Sequence, residues 1–172
     1  MTALSSHDLN QSGWKKVLIL VLAFWLSGSL LLDGLVMPSM YVSGMMTEPG
    51  FATAGYSLFW LFNRVELLCA ALVFTSVLVL RYTRHPWNRP GQFTVLLSMV
   101  LMAIAFIDTY GLTPQMSALG LQLNWFTALE TPALMNQLHL GYWLLDCLKL
   151  LAAGALLWVY NRVSAPVSQM GN

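Results

Sequence analysis

Four long apolar stretches constrain this chain more than any other feature of its sequence. They occupy residues 17–38, 57–80, 93–111 and 138–160 and are 19 to 24 residues long. A helix of about 20 residues crosses the roughly 30 Å hydrocarbon core of a bilayer. The stretches are apolar around most of their circumference, whereas the strands of a membrane barrel alternate apolar and polar residues. The sequence therefore predicts an all-α integral membrane protein, a bundle of four transmembrane helices.

The composition of the chain points in the same direction. Hydrophobic residues make up 58% of the 172 positions and charged residues 9%, with a mean hydropathy of +0.66. Soluble domains carry roughly 25% charged residues, which they need to cover a surface that faces water. A net charge of +1 gives no reason to expect a polyanionic partner. These values exclude a soluble globular domain and a nucleic-acid-binding protein, and they make the lipid bilayer the predicted surrounding.

The distribution of Lys and Arg predicts the orientation of the chain in the membrane. The segments after the first and third stretches contain Glu48 and Glu130 but neither Lys nor Arg. Basic residues collect on the cytoplasmic side of membrane proteins, so these two segments are predicted to lie outside and both termini inside. Residues 1–16 and 161–172 then form cytoplasmic tails around a membrane domain, 17–160, of a bacterial-type inner membrane or a thylakoid membrane. Six basic residues flank the stretches: Lys15, Lys16, Arg81, Arg84, Arg89 and Arg162.

Ionisable side chains within the apolar stretches are the most informative residues for function. Each charge at the centre of a bilayer costs about 2.5–3.5 kcal/mol even on a lenient insertion scale, so these groups are expected to face each other or a wet cavity. With the predicted orientation, almost all of them fall in the outer half of the membrane. We therefore expect a polar vestibule that opens outward and is sealed inward. The polar residues concerned are Asp33, Asn63, Arg64, Glu66, Asp108, His139, Asp146 and Lys149.

The number of charges in this set suggests a chemical role. Four acids, namely Asp33, Glu66, Asp108 and Asp146, accompany two bases, Arg64 and Lys149. Two acids are left over, and they are candidates to bind protons or a cation. His139 is a further candidate because imidazole binds metals and titrates near neutral pH. Arg64 and Lys149 are then internal counter-ions, and Asn63 belongs to the same network. The alternative is a purely structural network that fixes the register of the helices.

Other chemistries have weaker support in the sequence. Met37 and Met40 could share a helical face and supply thioether ligands to a soft metal, but methionine is more often an apolar filler. His139 is the one histidine within a stretch, so a haem held by two histidines is not expected, and the nucleotide-binding and hydrolase motifs are absent. No cofactor is predicted, and a non-enzymatic role is favoured over an enzymatic one.

Two hypotheses for function follow from these features. The leading one is a multi-pass membrane protein that handles a cation or protons through the outward vestibule. The alternative is a non-catalytic assembly or accessory subunit that packs against a larger membrane protein or a second copy of itself. Small residues allow helices to pack closely in membranes, so a stripe of them from Ala152 to Ala155 on an open face would support the alternative.

Three short motifs resemble the transmembrane-protein-205-like family, a group of small four-helix membrane proteins of unassigned function. Residues 36–41 (VMPSMY) resemble the end of that family's first span, residues 112–116 (LTPQM) its Thr-Pro motif after the third span, and Leu138 with His139 the start of its fourth span. The chain departs from the family pattern at Gln115, where a basic residue is common, and at Asp146, where a neutral amide is usual. The resemblance implies a four-helix fold with His139 in its polar network, and it implies no activity.

Overall fold

The structure, a computed structural model, describes residues 6–45, 50–83, 91–118 and 133–162, and within them it is helical and contains no strand. The basic residues Arg84 and Arg89 and the acids Glu48 and Glu130 lie outside the described residues. Two helices are interrupted by a π-helical turn of five residues and then continue. The helices in chain order are α1 (Ser6–Leu31), α2 (Met37–Val42), α3 (Phe51–Thr83), α4 (Gln92–Ile107), α5 (113–118) and α6 (Ala133–Arg162).

Four continuous helical segments are long and apolar enough to cross a membrane, as the sequence predicts. We call them spans 1 to 4. Each is longer than the apolar stretch from which it was predicted, because polar residues continue the helix at both ends. The spans are Ser12–Met40, Thr53–Thr83, Gln92–Ala118 and Gln137–Arg162.

Spans 1 and 3 pass through a proline without ending, which the sequence analysis did not anticipate. A π-helical turn precedes each proline: Leu32–Val36 comes before Pro38, and Asp108–Leu112 comes before Pro114. In the first turn the backbone N–H of Met37 donates to the carbonyl of Leu32, five residues earlier, and the second turn closes in the same way. A proline lacks an N–H and its ring crowds the preceding turn, so the wider turn lies where the α-helical pattern has to change.

The spans form a ring in which neighbours along the chain are neighbours in space. Span 1 packs on spans 2 and 4, and span 3 also packs on spans 2 and 4. Among the described residues, the backbones of α1 and α4 do not come close, and neither do those of α3 and α6, so the diagonal pairs can meet only through side chains that reach the central axis. A chain that passes up and down through successive neighbouring helices produces this order in four-helix bundles. Side chains from all four spans can therefore meet on the central axis.

One half of the bundle interior is almost entirely apolar. We call it the apolar half. It lies toward the start of spans 1 and 3 and the end of spans 2 and 4. Two of its buried hydroxyl groups bond to their own helix: Ser76 donates to the carbonyl of Leu72 at 2.6 Å and Ser98 to that of Val95 at 2.8 Å. The buried apolar side chains there include Leu18, Leu22, Val73, Val77, Leu80, Leu101, Leu156 and Tyr160.

The small residues of span 4 take part in this core instead of forming an open stripe. Ala152 and Ala153 are buried in the bundle, and Gly154 and Ala155 are partly buried. Small side chains at these positions let span 4 approach its neighbours. The open stripe that would support an accessory subunit is therefore reduced to two half-covered residues.

Candidate ion- or proton-binding site

The other half of the interior, the polar half, is organised around the carboxylate of Glu66. One oxygen, Oε1, accepts hydrogen bonds from the indole Nε1 of Trp25 at 2.9 Å, from the hydroxyl of Ser29 at 3.1 Å and from the Nζ of Lys149 at 2.6 Å. Glu66 itself is 1% exposed. Spans 1, 2 and 4 therefore meet at a single buried oxygen atom, which accepts from three donors.

Lys149 connects this carboxylate with a second one. Its Nζ lies 2.7 Å from Oδ1 of Asp146, one helical turn earlier in span 4, and all three side chains of the group are buried. A buried ammonium between two carboxylates offsets part of the cost of removing each charge from water. The group of Glu66, Lys149 and Asp146 nevertheless keeps a net negative charge if all three are ionised.

Asp33 meets span 4 at a different residue. Its Oδ1 accepts a hydrogen bond from the hydroxyl of Tyr142 at 3.1 Å, and the ring of Tyr142 packs edge-on against Phe59 at a centroid distance of 5.7 Å. Asp33 is the second residue of the π-helical turn in span 1. Its other oxygen, Oδ2, is buried and has no hydrogen-bond partner among the described residues.

Asp108 is the most isolated of the buried acids. It is 0% exposed, it begins the π-helical turn of span 3, and neither of its carboxylate oxygens has a hydrogen-bond partner within the described part of the chain. It is close enough to Lys149, Glu66, Asp146 and Asp33 to interact with all of them electrostatically. An ionised carboxylate without donors is costly in a buried site, so this group requires a proton, a cation or water.

Asn63 supplies a further unsatisfied acceptor at the same level. Its amide nitrogen donates to the hydroxyl of Thr113 in span 3, and its amide oxygen is buried without a partner among the described residues. The hydroxyl of Thr109 does not satisfy this amide oxygen, because it donates to the carbonyl of Ala105 in its own span at 2.7 Å. The unsatisfied groups of Asp33, Asn63 and Asp108 are thus all acceptor oxygens. A site of this composition accepts protons or hydrogen-bond donors and offers nothing to an anion.

Two of the predicted site residues are not brought to this cluster. Arg64 is exposed on the outside of span 2, where its guanidinium lies 4.1 Å from the centre of the Trp60 ring. His139 is exposed at the start of span 4. The buried cluster therefore contains four carboxyl groups but only one cation, the ammonium of Lys149. The sequence predicted two cations for the same four acids.

The cluster is closed to solvent in this structure. Asp33 is 5% exposed, Asp146 is 3% exposed and Lys149 is 1% exposed. The sequence analysis expected a vestibule that opens outward, and at these side chains the bundle is instead packed shut. Entry of an ion or a proton from outside then requires a chain of polar groups or a small opening of the helices.

The structure bears on metal binding in two places. No group of three or more His, Cys, Asp or Glu side chains is arranged to hold a metal ion in the part of the chain that the structure describes. Met37 and Met40, the soft-metal candidates, are both partly buried in α2. Carboxylates and an amide suit hard cations, whereas thioethers suit soft ones, so these two sets of residues would not serve the same metal.

Sequence reasoning missed two members of the cluster, Trp25 and Ser29. Both bond to Glu66, and together with Asp33 they recur at intervals of four residues along span 1. Residues four apart lie on the same face of a helix. In span 4, Tyr142, Asp146 and Lys149 also share a face, because they follow one another at intervals of three or four residues. The same rule identifies Trp25, Ser29 and Asp33 in span 1, once indole and hydroxyl groups are included as donors.

Comparison with known proteins adds no further assignment. No protein-family model, no curated protein and no solved structure matches the chain. The resemblance to the transmembrane-protein-205-like family consequently stays a prediction.

Proposed function

We propose that this is a multi-pass membrane protein that binds and exchanges protons at carboxyl groups buried in its polar half. The observation that carries the proposal is Asp108, which is fully buried and has no hydrogen-bond donor on either oxygen among the described residues. Four carboxyl groups share one ammonium, and desolvation penalises every uncompensated charge. Protons bound to the carboxyl groups neutralise the excess negative charge, and unlike a metal ion they do not need several ligands arranged around them.

The four acids have different roles in this proposal. Glu66 and Asp146 are held by Lys149 in a buried salt-bridge group and serve a structural role. Asp108 and Asp33 have at least one oxygen without a partner and carry the exchangeable protons. Each of these two residues belongs to a π-helical turn, a local widening that is frequent at functional sites in helices.

The proposed orientation places both termini in the cytoplasm and the polar half toward the outside. Support comes from Lys15 and Lys16 in the first turns of span 1, from Arg81 at the end of span 2 and from Arg162 at the end of span 4. All four adjoin the apolar half of the bundle. The positive-inside rule puts these ends in the cytoplasm of a bacterium or on the equivalent face of a thylakoid. Protons then reach Asp108 and Asp33 from the extracytoplasmic side.

Cysteine labelling tests this orientation directly. In a background in which Cys69 and Cys147 are replaced by serine, we expect Glu48→Cys to react with a membrane-impermeant maleimide in intact cells. His85→Cys, in the segment between spans 2 and 3, is expected to react only after permeabilisation. The reverse pattern would invert the topology and move the proposed site to the cytoplasmic side.

Proton uptake by the purified protein tests the function. The protein in lightly buffered detergent solution is titrated from mildly alkaline to mildly acidic pH, and an indicator dye counts the protons taken up against a detergent blank. We expect Asp108→Asn and Asp33→Asn each to reduce the uptake, whereas Glu48→Gln, which removes a carboxylate outside the spans, leaves it unchanged in this range. Parallel measurement of metal content separates protons from metal cations. Equal uptake by the wild type and by the Asp108 and Asp33 variants would show the proposal to be wrong.

The alternative role, an accessory subunit of a larger complex, predicts a different result for the purified protein. It requires a partner that copurifies in mild detergent in a fixed ratio. It also requires that neutralising Asp108 leaves every measured activity of the complex unchanged. The half-buried state of Gly154 and Ala155 gives this role less support than an open stripe would.

A further inference from the structure

Arg64 lies on the outer surface of span 2, away from the bundle interior. It is exposed, while Asn63 and Glu66 on the same helix are buried. Its neighbours on the outer surface are large apolar side chains: Leu61 is 59% exposed and Leu68 is 67% exposed. A guanidinium on a surface of this kind faces acyl chains unless it reaches a polar partner.

The depth of Arg64 in a bilayer follows from the length of the helix. Arg81, in the last turn of α3, marks one boundary of the hydrocarbon core. About 20 residues cross that core, so the other boundary lies close to Leu61 and Trp60. The Cα of Arg64 is then about 5 Å inside the hydrocarbon region, at a rise of 1.5 Å per residue.

The direction of the side chain brings the charge back to the boundary. Long side chains in a helix point toward its N-terminus, which for span 2 is the nearer membrane surface. The structure shows this direction, because the guanidinium of Arg64 lies over the ring of Trp60, one turn earlier. Tryptophan is itself enriched at membrane interfaces. The pair therefore presents a stacked, partly desolvated cation at the level of the lipid headgroups.

We infer that Arg64 and Trp60 form a binding site for the phosphate of an anionic phospholipid in the leaflet at the start of span 2. The guanidinium donates to two phosphate oxygens in its own plane, and the indole covers one face of that plane. The acyl chains lie along the exposed face that includes Leu61 and Leu68. This site is independent of the acids in the polar half, so it stands or falls separately from the proposed proton binding.

Native mass spectrometry of delipidated protein with added phosphatidylglycerol tests the site. We expect a single tightly retained lipid, and we expect Arg64→Gln to weaken its binding about tenfold, the scale of one charge-assisted pair. Trp60→Leu is expected to weaken it less. Arg64→Lys keeps the charge but loses the planar fork, so it is expected to bind with intermediate affinity.

Arg81→Gln is the matched control, because it removes the same charge from the other end of the same helix. Equal loss of lipid in the Arg81 and Arg64 variants would overturn the assignment, since it would reflect net charge alone. Phosphatidylcholine that binds as tightly as phosphatidylglycerol, or free inorganic phosphate that displaces the lipid, would also overturn it. So would a dimer or a copurified protein that Arg64→Gln dissociates, because an acidic side chain would then occupy the place of the phosphate.

Discussion

The two halves of the bundle interior are equally buried but are held together by different interactions. In the apolar half, leucine and valine side chains from all four spans pack together, and hydroxyl groups such as Ser76 bond to their own helix. In the polar half, Trp25, Ser29 and Lys149 each bond across to Glu66 on another span. The comparison teaches that burial alone does not determine how a position responds to substitution. A position in the polar half also depends on the charges of its partners.

The largest expected effect of a single substitution is the loss of Lys149. Lys149→Met leaves Glu66 and Asp146 as buried carboxylates without a counter-ion, a change that costs about 3–5 kcal/mol when one partner of a buried pair is removed. Unfolding in a detergent titration measures this loss of stability. Lys16→Met, at an exposed position before the core of span 1, is the control and is expected to change little.

The same variant can distinguish an ionic role from a packing role. If the cost arises from unpaired charge, adding Glu66→Gln and Asp146→Asn to Lys149→Met restores much of the lost stability. If the cost arises from lost volume, the triple variant is at least as unstable as the single one. Equal stability of the Lys149 and Lys16 variants would contradict the account of the polar half.

A leucine in the apolar half provides the next largest effect. Leu156 is completely buried, so Leu156→Ala is expected to cost about 2–5 kcal/mol through lost burial and the cavity that remains. The same unfolding titration, carried out from mildly acidic to mildly alkaline conditions, is expected to show the same loss at every pH, because no charged group is altered. Leu144→Ala, at a position that is 64% exposed on the outside of span 4, is the matched control. A loss of stability by Leu156→Ala that varied with pH would show that the two halves are coupled.

The fold was more accessible to sequence reasoning than the site. Runs of apolar residues long enough to cross a bilayer predict long helices directly, and the structure contains four continuous helices that are long and apolar enough to do so. The ends of spans 1 and 3 were less predictable, because Pro38 and Pro114 normally signal the end of a helix. The widened turns that let these helices continue depend on packing with neighbouring spans, which a single sequence does not display.

The site was predictable where helix geometry alone decides which side chains face inward. By their spacing, Tyr142, Asp146, Lys149 and Ala153 share a face of span 4 with His139 and Trp143. The first four are buried, whereas His139 and Trp143, nearer the start of the span, are exposed. Arg64 shows the limit of reasoning from residue type. It is two residues from Glu66, which is about 200° around a helix, so the two side chains cannot share a face. The pairing of Tyr142 with Asp33 required knowledge that span 4 packs on span 1.

A pair of serine substitutions sharpens the comparison at a smaller scale. Ser29 donates to the carboxylate of Glu66, so Ser29→Ala is expected to cost about 1.5 kcal/mol, as for a hydrogen bond to a charged group. Ser76 donates to its own helix in the apolar half, so Ser76→Ala is expected to change stability by less than about 0.5 kcal/mol. Both are measured by unfolding in the same detergent. If Ser29→Ala and Ser76→Ala lower the free energy of unfolding equally, the hydrogen bond from Ser29 to Glu66 adds no stability beyond that of a bond within one helix.

The protonation state of Asp108 at neutral pH tests the central claim most directly. Infrared spectroscopy of the purified protein resolves the carbonyl stretch of a protonated carboxyl group, and exchange into heavy water shifts it. We predict that the wild type shows this band at neutral pH, that Asp108→Asn removes a large part of it, and that Glu48→Gln leaves it intact. A spectrum without a protonated carboxyl band, or with a band that Asp108→Asn leaves unchanged, would contradict the account.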